Sequence, residues 1–322
     1  YKDIVDEIIV VDTGSTDKTV EIARQLGAKI FYFEWVNDFA KAKNYALSKA
    51  TGDWIIFLDA DEYFDVNKSK NIPNLIKKYG NDRTKILGCT LINIDEKSGE
   101  VIGTCYQTRI FKREKGLRYV SEIHERLYYD GKNVSAVFLK DDLMIYHTGY
   151  SQDRVNEKAE RNLPMLLKGL ERKPVDPTLY FFISDTYFSL KDYEQCKYYG
   201  ELFLKSRVNM VGLNSKVYQN VIAAMIKMKN DRKEIETLIE QALTEFPNHP
   251  VFYLLWGEVL YSAKKYQEAL DKYKKSLDMN IQYKDIEINN IIGRTHEIEV
   301  AIANVLEIKN EREEALDYYI SA

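Results

Sequence analysis

Five residues in the second half of the chain recur at one constant offset. Tyr180, Ser184, Tyr187, Tyr193 and Cys196 reappear 73 positions later as Tyr253, Gly257, Leu260, Tyr266 and Ala269. A fixed period confines a segment to stacked supersecondary units, each burying its apolar face against the next. From about Ser151 onward strand signals stop and helical periodicity takes over, so the unit is a helix pair. The second copy reads YLLWGEVLYSAKKYQEALDKYKKSL, with the small Gly257 where two helices would cross and Ala269 where the second helix packs back. A weaker copy fits Ser215 to Pro247. A last one, Ile288 to Ala322, keeps NEREEALDYY as an echo of KYQEALDKY. Aromatic knobs between helix pairs account for much of the tyrosine, 24 residues in 322. The competing reading is a generic helical bundle with accidental spacing.

The first half has another rhythm. DEIIVVD is a β-branched run ending in acid, followed by the turn-rich TGSTD. Thr16 or Asp17 can cap the amphipathic KTVEIARQL, and Gly27 stops it. AKIFYFEW then reads as a strand, NDFAKAKNYALSKA as a helix and DWIIFLDAD as a fully buried strand. Strand and helix in alternation predict a parallel sheet with right-handed crossovers. TKILGCTLINID, the turn EKSG and EVIGTCYQTRIFK predict an antiparallel hairpin, and further strand-like segments run on to Gly149 and Tyr150. The expected division is an α/β domain over residues 1–150 and an all-α repeat domain over 151–322.

Composition narrows the partners. The net charge of −4 offers no basic face for nucleic acid. No apolar run approaches the ~20 residues that span a bilayer, so no integral membrane segment is expected. Cys89, Cys105 and Cys196 are too few and too scattered for a disulfide framework or a zinc site, which suits free thiols in the cytoplasm.

Two acidic clusters stand where α/β sheets bind nucleotides, at strand ends. One is Asp12, after IIVV; the other is Asp59 and Asp61, in FLDADE. On a strand, residues i and i+2 face one side, so these two carboxylates are expected to converge. Their mutual repulsion is relieved by a divalent cation. Hard oxygen ligands select Mg²⁺ or Mn²⁺, whose shells are commonly completed by substrate phosphates. A diphosphate leaving group is the natural partner. An isolated Asp-x-Asp is weak evidence; its place after a buried strand, one crossover past DTGSTD, strengthens it.

IIVVDTGSTDKTVEIA and NDFAKAKNYALSKATGDWIIFLDADE, in this order, resemble glycosyltransferase family 2, of the GT-A fold. The 73-residue offset is about twice the tetratricopeptide period. The whole chain resembles bacterial members that fuse the two, including peptide S-glycosyltransferases of the sublancin/glycocin type. Shared features are the NDF-x-x-A-x-N helix, a His-Glu pair in SEIHERL and a His-x-Gly-Tyr segment in YHTGY. The family's first strand, which normally precedes DEIIVVD, is absent from this sequence.

The resemblance implies that Asp12 contacts the nucleotide base, and Asp59 and Asp61 the ribose and metal. Lys43 stands where the family usually has an arginine near the pyrophosphate; it keeps the charge without the bidentate geometry. His147 is the candidate third metal ligand, or else a histidine hydrogen-bonded at a strand end. Glu125 is the candidate general base, with His124 orienting it or exchanging roles; the alternative is a surface ion pair. Arg109 either pairs with the acidic centre or forms a structural ion pair. Glu62 is left out of the metal shell.

The implied function is metal-dependent, inverting transfer of a hexose or N-acetylhexosamine from a nucleotide diphosphate sugar, UDP-linked, to a peptide or protein side chain. The helical repeats would help hold that acceptor, and a homodimer is compatible with the sequence. Two alternatives stand beside it: an acceptor that is a cell-envelope glycan or lipid-linked sugar, and an inactive transferase serving as an interaction scaffold.

Overall fold

The computed structural model describes residues 3–130, 134–149, 152–210 and 212–322, without the side chains of residues 152–155. Tyr150, which ends YHTGY, and Ser151, at the expected domain boundary, lie outside the described residues. The chain forms two compact units, one of Tyr1–Leu91 with Tyr106–His147 and one of Ile92–Cys105 with Thr148–Ala322. The tip of the central β-hairpin therefore groups with the helices, whereas a division at residue 150 assigns it to the α/β domain.

In the first unit, β1 (Ile9–Asp12) and β2 (Lys29–Tyr32) pair in parallel through α1 (Thr19–Gln25). Asp17 accepts the Thr19 N–H at 2.9 Å, and Gly27, at φ 83°, takes the left-handed conformation that closes the helix. The next crossover, α2 (Phe39–Lys49), starts on Asp38, whose carboxylate accepts the Lys41 N–H at 2.9 Å.

The expectation of a third parallel strand is not met. The strand β3 (Trp54–Ile56) pairs antiparallel with β6 (Val101–Lys112), which the hairpin from β5 (Thr84–Ile94) delivers beside it. The hairpin turn is built as its sequence demands. Asp95 accepts the N–H groups of Lys97 and Ser98 at 2.9 Å each, and Gly99 turns at φ 74°.

After β3 come β4 (Glu62–Phe64) and the helices α3 (Val66–Ser69) and α4 (Ile72–Tyr79). After β6 come β7 (Leu117–Val120), β8 (Arg126–Tyr129), β9 (Ser135–Phe138) and β10 (Met144–His147). The larger sheet runs β3–β6–β5–β10–β4 with β9 beside β5, and β7 and β8 form a separate hairpin. Glu7 stitches the smaller sheet to the turn before β3: it accepts the Thr51 N–H at 2.6 Å and pairs with Lys29 at 2.8 Å. Those bonds, Lys29's above all, hold its pKa down to about 2.

In the second unit, α5 (Gln152–Arg172) leads into four helix pairs: α6 (Pro177–Ser189) with α7 (Tyr193–Ser206), α8 (Asn214–Lys227) with α9 (Arg232–Glu245), α10 (Pro250–Ser262) with α11 (Tyr266–Gln282), and α12 (Thr295–Ile308) with α13 (Arg312–Ser321). The 73-residue offset maps α6 onto α10, each opening on a proline, where a missing N–H costs no hydrogen bond. Gly257 lies against Tyr273; an added Cβ would stand 2.3 Å from the ring. At the matching place in the first copy, the Ser184 hydroxyl donates to the Cys196 carbonyl at 2.8 Å. Cys196 and Ala269 are both fully buried. This is a tetratricopeptide-like domain. Among the described residues, no helix is long and apolar enough to cross a membrane.

The connection after α11 is longer than its counterparts and is held by buried amides. Gln219 donates to the Ile288 carbonyl at 2.9 Å, Asn280 to the Ile291 carbonyl at 3.0 Å, and Asn289 to the Asn280 side chain at 2.8 Å. His249 also meets the Ile288 carbonyl, at 3.0 Å, and burial pushes its pKa down to about 4.

Candidate active site

Helix α2 brings Lys43 into the charged centre. It buries Ala40 and Lys43. Ala40 lies in a cluster with Ile55, Phe111 and Tyr119. One turn on, Asn44 grips both backbone groups of Tyr119, donating to its carbonyl at 2.9 Å and accepting its N–H at 2.8 Å. At the start of the helix, the Phe39 N–H donates to the Glu122 carbonyl at 2.8 Å, fixing the loop between β7 and β8. In that loop Ser121 (φ 79°) and His124 (φ 50°) hold left-handed backbone, which costs a non-glycine residue of order 1 kcal/mol and clusters at functional sites.

Lys43 is 8% exposed, and its ammonium bridges two carboxylates: Asp59 at 2.8 Å and Glu125 at 2.5 Å. The rings of Phe57 and Tyr119 flank it, with centroids at 4.9 and 5.5 Å. A second cation meets Asp59 from β6. Arg109 bonds Asp59 at 3.0 Å and grips Glu62 through two nitrogens, at 2.6 and 2.7 Å. Burial works against the guanidinium charge, but the Glu62 hydrogen bonds together with the charges of Glu62 and Asp59 outweigh it, and the Arg109 pKa is raised. Arg109 therefore belongs to the acidic centre.

The Asp-x-Asp segment is not a strand. The strand β3 ends at Ile56, and Asp59 to Glu62 form a turn closed by the Glu62 N–H on the Asp59 carbonyl at 3.0 Å. The alternation rule does not apply there, so the two aspartates part. Asp59 turns to Lys43 and Arg109, while Asp61 meets His147 Nε2 at 3.2 Å. His147 reaches it because β10 lies antiparallel to β4, with His147 opposite Glu62. Among the described residues, no three His, Cys, Asp or Glu side chains are gathered as a ready metal shell. The Asp61 carboxylate and the His147 imidazole are donor types that could take part in holding a divalent ion. Asp59 stands two residues away with its charge already matched.

Asp12 ends β1 with its carboxylate turned into its own loop, accepting the N–H groups of Gly14 and Ser15 at 3.2 Å each. The Ser15 hydroxyl bond, ahead of a smaller cost of burial, keeps its pKa low. Asp12 is thus an ionised acceptor at a strand end, bonded within its own loop. His124 is exposed, beside the half-buried Glu125.

Sequence reasoning missed Tyr119. Its hydroxyl is buried and has no hydrogen-bond partner. Burial raises the pKa, Arg109 opposes this, and Asp59, Glu125 and Glu62 add to it, which places the phenol among those four charges. Leucine and tyrosine in LRYV read only as a strand; no local signal separates this ring from a packing residue. Cys89 is no rival nucleophile, because burial pushes its thiol up to about 12.

Residues 2–127 match the model of the family described as Glycosyl transferase family 2. A TPR repeat-containing protein of Synechococcus elongatus is 32% identical over 191 residues, 55% of this chain and 45% of its own length. The SPbeta prophage-derived glycosyltransferase SunS of Bacillus subtilis is 27% identical over 264 residues, 76% of this chain and 58% of its own. The chain thus spans about half the length of these relatives. Among solved structures, MamA from Desulfovibrio magneticus, 14% identical, aligns with 53% of this chain and 90% of its own at a TM-score of 0.41. Over residues 2–127 the chain is thus similar to glycosyltransferase family 2, and the helix pairs that follow form a tetratricopeptide-like domain.

Proposed function

We propose that this chain is a metal-dependent, inverting glycosyltransferase that moves a hexose or N-acetylhexosamine from a UDP-sugar to a Cys, Ser or Thr side chain of a peptide. The observation that carries the reading is the charged cluster of Lys43, Asp59, Arg109, Glu62 and Glu125, beside the Asp61–His147 pair, in a family 2 domain. Asp61 and His147 would hold a divalent cation, which supplies neutralisation of the departing diphosphate. Asp12 would accept hydrogen bonds from the nucleotide base, Asp59 would contact the ribose, and Lys43 would offer the diphosphate a cation; Asp59, turned to Lys43 and Arg109, is left out of the metal shell.

The chemical step is a displacement at the anomeric carbon. The acceptor's oxygen or sulfur forms the new bond as the bond to the diphosphate oxygen breaks, and Glu125, oriented by His124, takes the acceptor proton. The helical repeats support the choice of acceptor, because stacked helix pairs offer extended grooves to peptides. Free cysteines among the described residues suit a cytoplasmic setting.

Incubation of the full chain with UDP-sugars, Mn²⁺ and candidate peptides should add one sugar mass to a peptide, and Asp61→Asn should lower that rate on the order of 10²-fold with an unchanged melting temperature. UDP release without any peptide modification would count against a peptide acceptor.

A further inference from the structure

The same ammonium serves the donor side and the acceptor side of this site. Lys43 holds Glu125 at 2.5 Å and Asp59 at 2.8 Å. Asp59 has a second cation in Arg109, at 3.0 Å, so it keeps a partner whatever Lys43 does. Among the described residues, Lys43 is the one cation paired with Glu125. A carboxylate tied to an ammonium is a poor proton acceptor, and an ammonium shared between two carboxylates is a poor phosphate ligand.

Three features make an exchange of partners easy. Lysine is a point charge on a flexible stem, so its ammonium can turn without the planar constraints of a guanidinium. The faces of Phe57 and Tyr119 line its position and offer cation–π contact that has little directional demand. The buried Tyr119 hydroxyl lies among Asp59, Glu125, Glu62 and Arg109 with its own hydrogen-bonding capacity unused. It can donate to a carboxylate that has lost the ammonium. The Asn44 clamp on the Tyr119 backbone keeps that hydroxyl in place during the change.

We propose that Lys43 couples donor binding to base release: it holds Glu125 while the site is empty, and moves to the donor's diphosphate when that arrives, leaving Glu125 to accept the acceptor's proton. This rests on the reading of the site as one for a nucleoside diphosphate sugar. Lys43 is here a positioning residue for the proton transfer, acting through Glu125.

The test is a double-mutant cycle on UDP binding in the presence of Mn²⁺, by calorimetry with the full chain. Glu125→Gln removes Lys43's competing partner without changing the side chain's shape, and should tighten UDP on the order of tenfold. Lys43→Met should weaken UDP. In the Lys43→Met background, Glu125→Gln should then give no gain. Lys43→Arg, which keeps the cation, should restore both UDP binding and its dependence on Glu125.

A gain from Glu125→Gln that persists without Lys43 is plain repulsion between carboxylate and diphosphate, and overturns the proposal. Unchanged UDP affinity in Glu125→Gln overturns it as well. Failure of the wild-type chain to bind UDP would remove the nucleotide reading itself, whereas binding without coupling removes only the exchange. Circular dichroism of each variant separates these outcomes from misfolding.

Discussion

The two units bury polar groups in opposite ways. In the helical unit they are neutral and spread along the stack: Ser184 on a neighbouring carbonyl, Asn280 on Asn289 and Ile291, Gln219 and His249 on Ile288. Each fixes a helix or a loop, and their chemistry ends there. In the α/β unit five charged groups meet at one place, where Lys43 and Arg109 face Asp59, Glu62 and Glu125. Distributed neutral amides make a scaffold rigid. Concentrated charge is weak evidence for stability, since desolvation offsets much of the attraction, but it provides groups that a ligand can rearrange.

If that contrast is sound, substitutions in the α/β cluster should alter activity and spare the fold. Glu125→Gln carries the largest expected effect, a fall in turnover of roughly 10³-fold, within the range general-base removal gives. Its melting temperature should stay within a degree or two of the wild type. Near-normal turnover would show the base to be elsewhere.

The helical unit should respond in stability instead. His249 is neutral in the fold, with a pKa of about 4, against an ordinary value near 6.5. The unfolded chain therefore binds the extra proton between those values, so the contribution is full above about pH 6.5 and is lost as pH falls toward 4. Urea unfolding at pH 7.5 and 4.5 should show wild type losing about 2 kcal/mol more than His249→Asn, and equal losses in the two proteins would break the assignment.

Gly257→Ala tests the packing of the same unit. The added methyl has Tyr273 in its way at 2.3 Å, and overpacking of this kind costs about 2 kcal/mol, measurable by the same unfolding experiment. Pairing it with Tyr273→Leu should recover part of the loss.

Tyr119→Phe has the smallest expected effect and sharpens the comparison most. Removing a buried hydroxyl that has no partner should raise stability by about 1 kcal/mol, while impairing activity. A loss of stability would mean that the hydroxyl is satisfied in the resting protein.

Much of this architecture could be read from residues before any coordinates. The Asp17 bond at the start of α1, the stop at Gly27, the EKSG turn and the 73-residue offset are all local signals with local causes. The repeat was legible because Gly257, Ala269 and their counterparts must be small for helices to touch. What escaped was set by pairing across distance. The antiparallel placement of β3 follows from which strand the hairpin brings alongside, and residues 54–56 do not encode it. The divergence of Asp59 from Asp61 follows from a turn that a buried-strand reading of DWIIFLDAD concealed. Arg109 was visible as a cation near acid, but its grip on Glu62 needed the register of β3 against β6. Tyr119 had no signature at all, because an orphan hydroxyl is defined only by what fails to reach it.

The Asn44 clamp has a consequence for how this domain can change over time. By seizing both the N–H and the carbonyl of one residue, the amide indexes the chain as a pawl indexes a ratchet, accepting Tyr119 and no neighbour. A slip of one position would turn every side chain of that strand to its other face. Length changes in the segment from Arg113 to Gly116 must therefore be absorbed before the strand begins. No insertion on that side can advance the count by one without taking the phenol away from the ammonium it flanks.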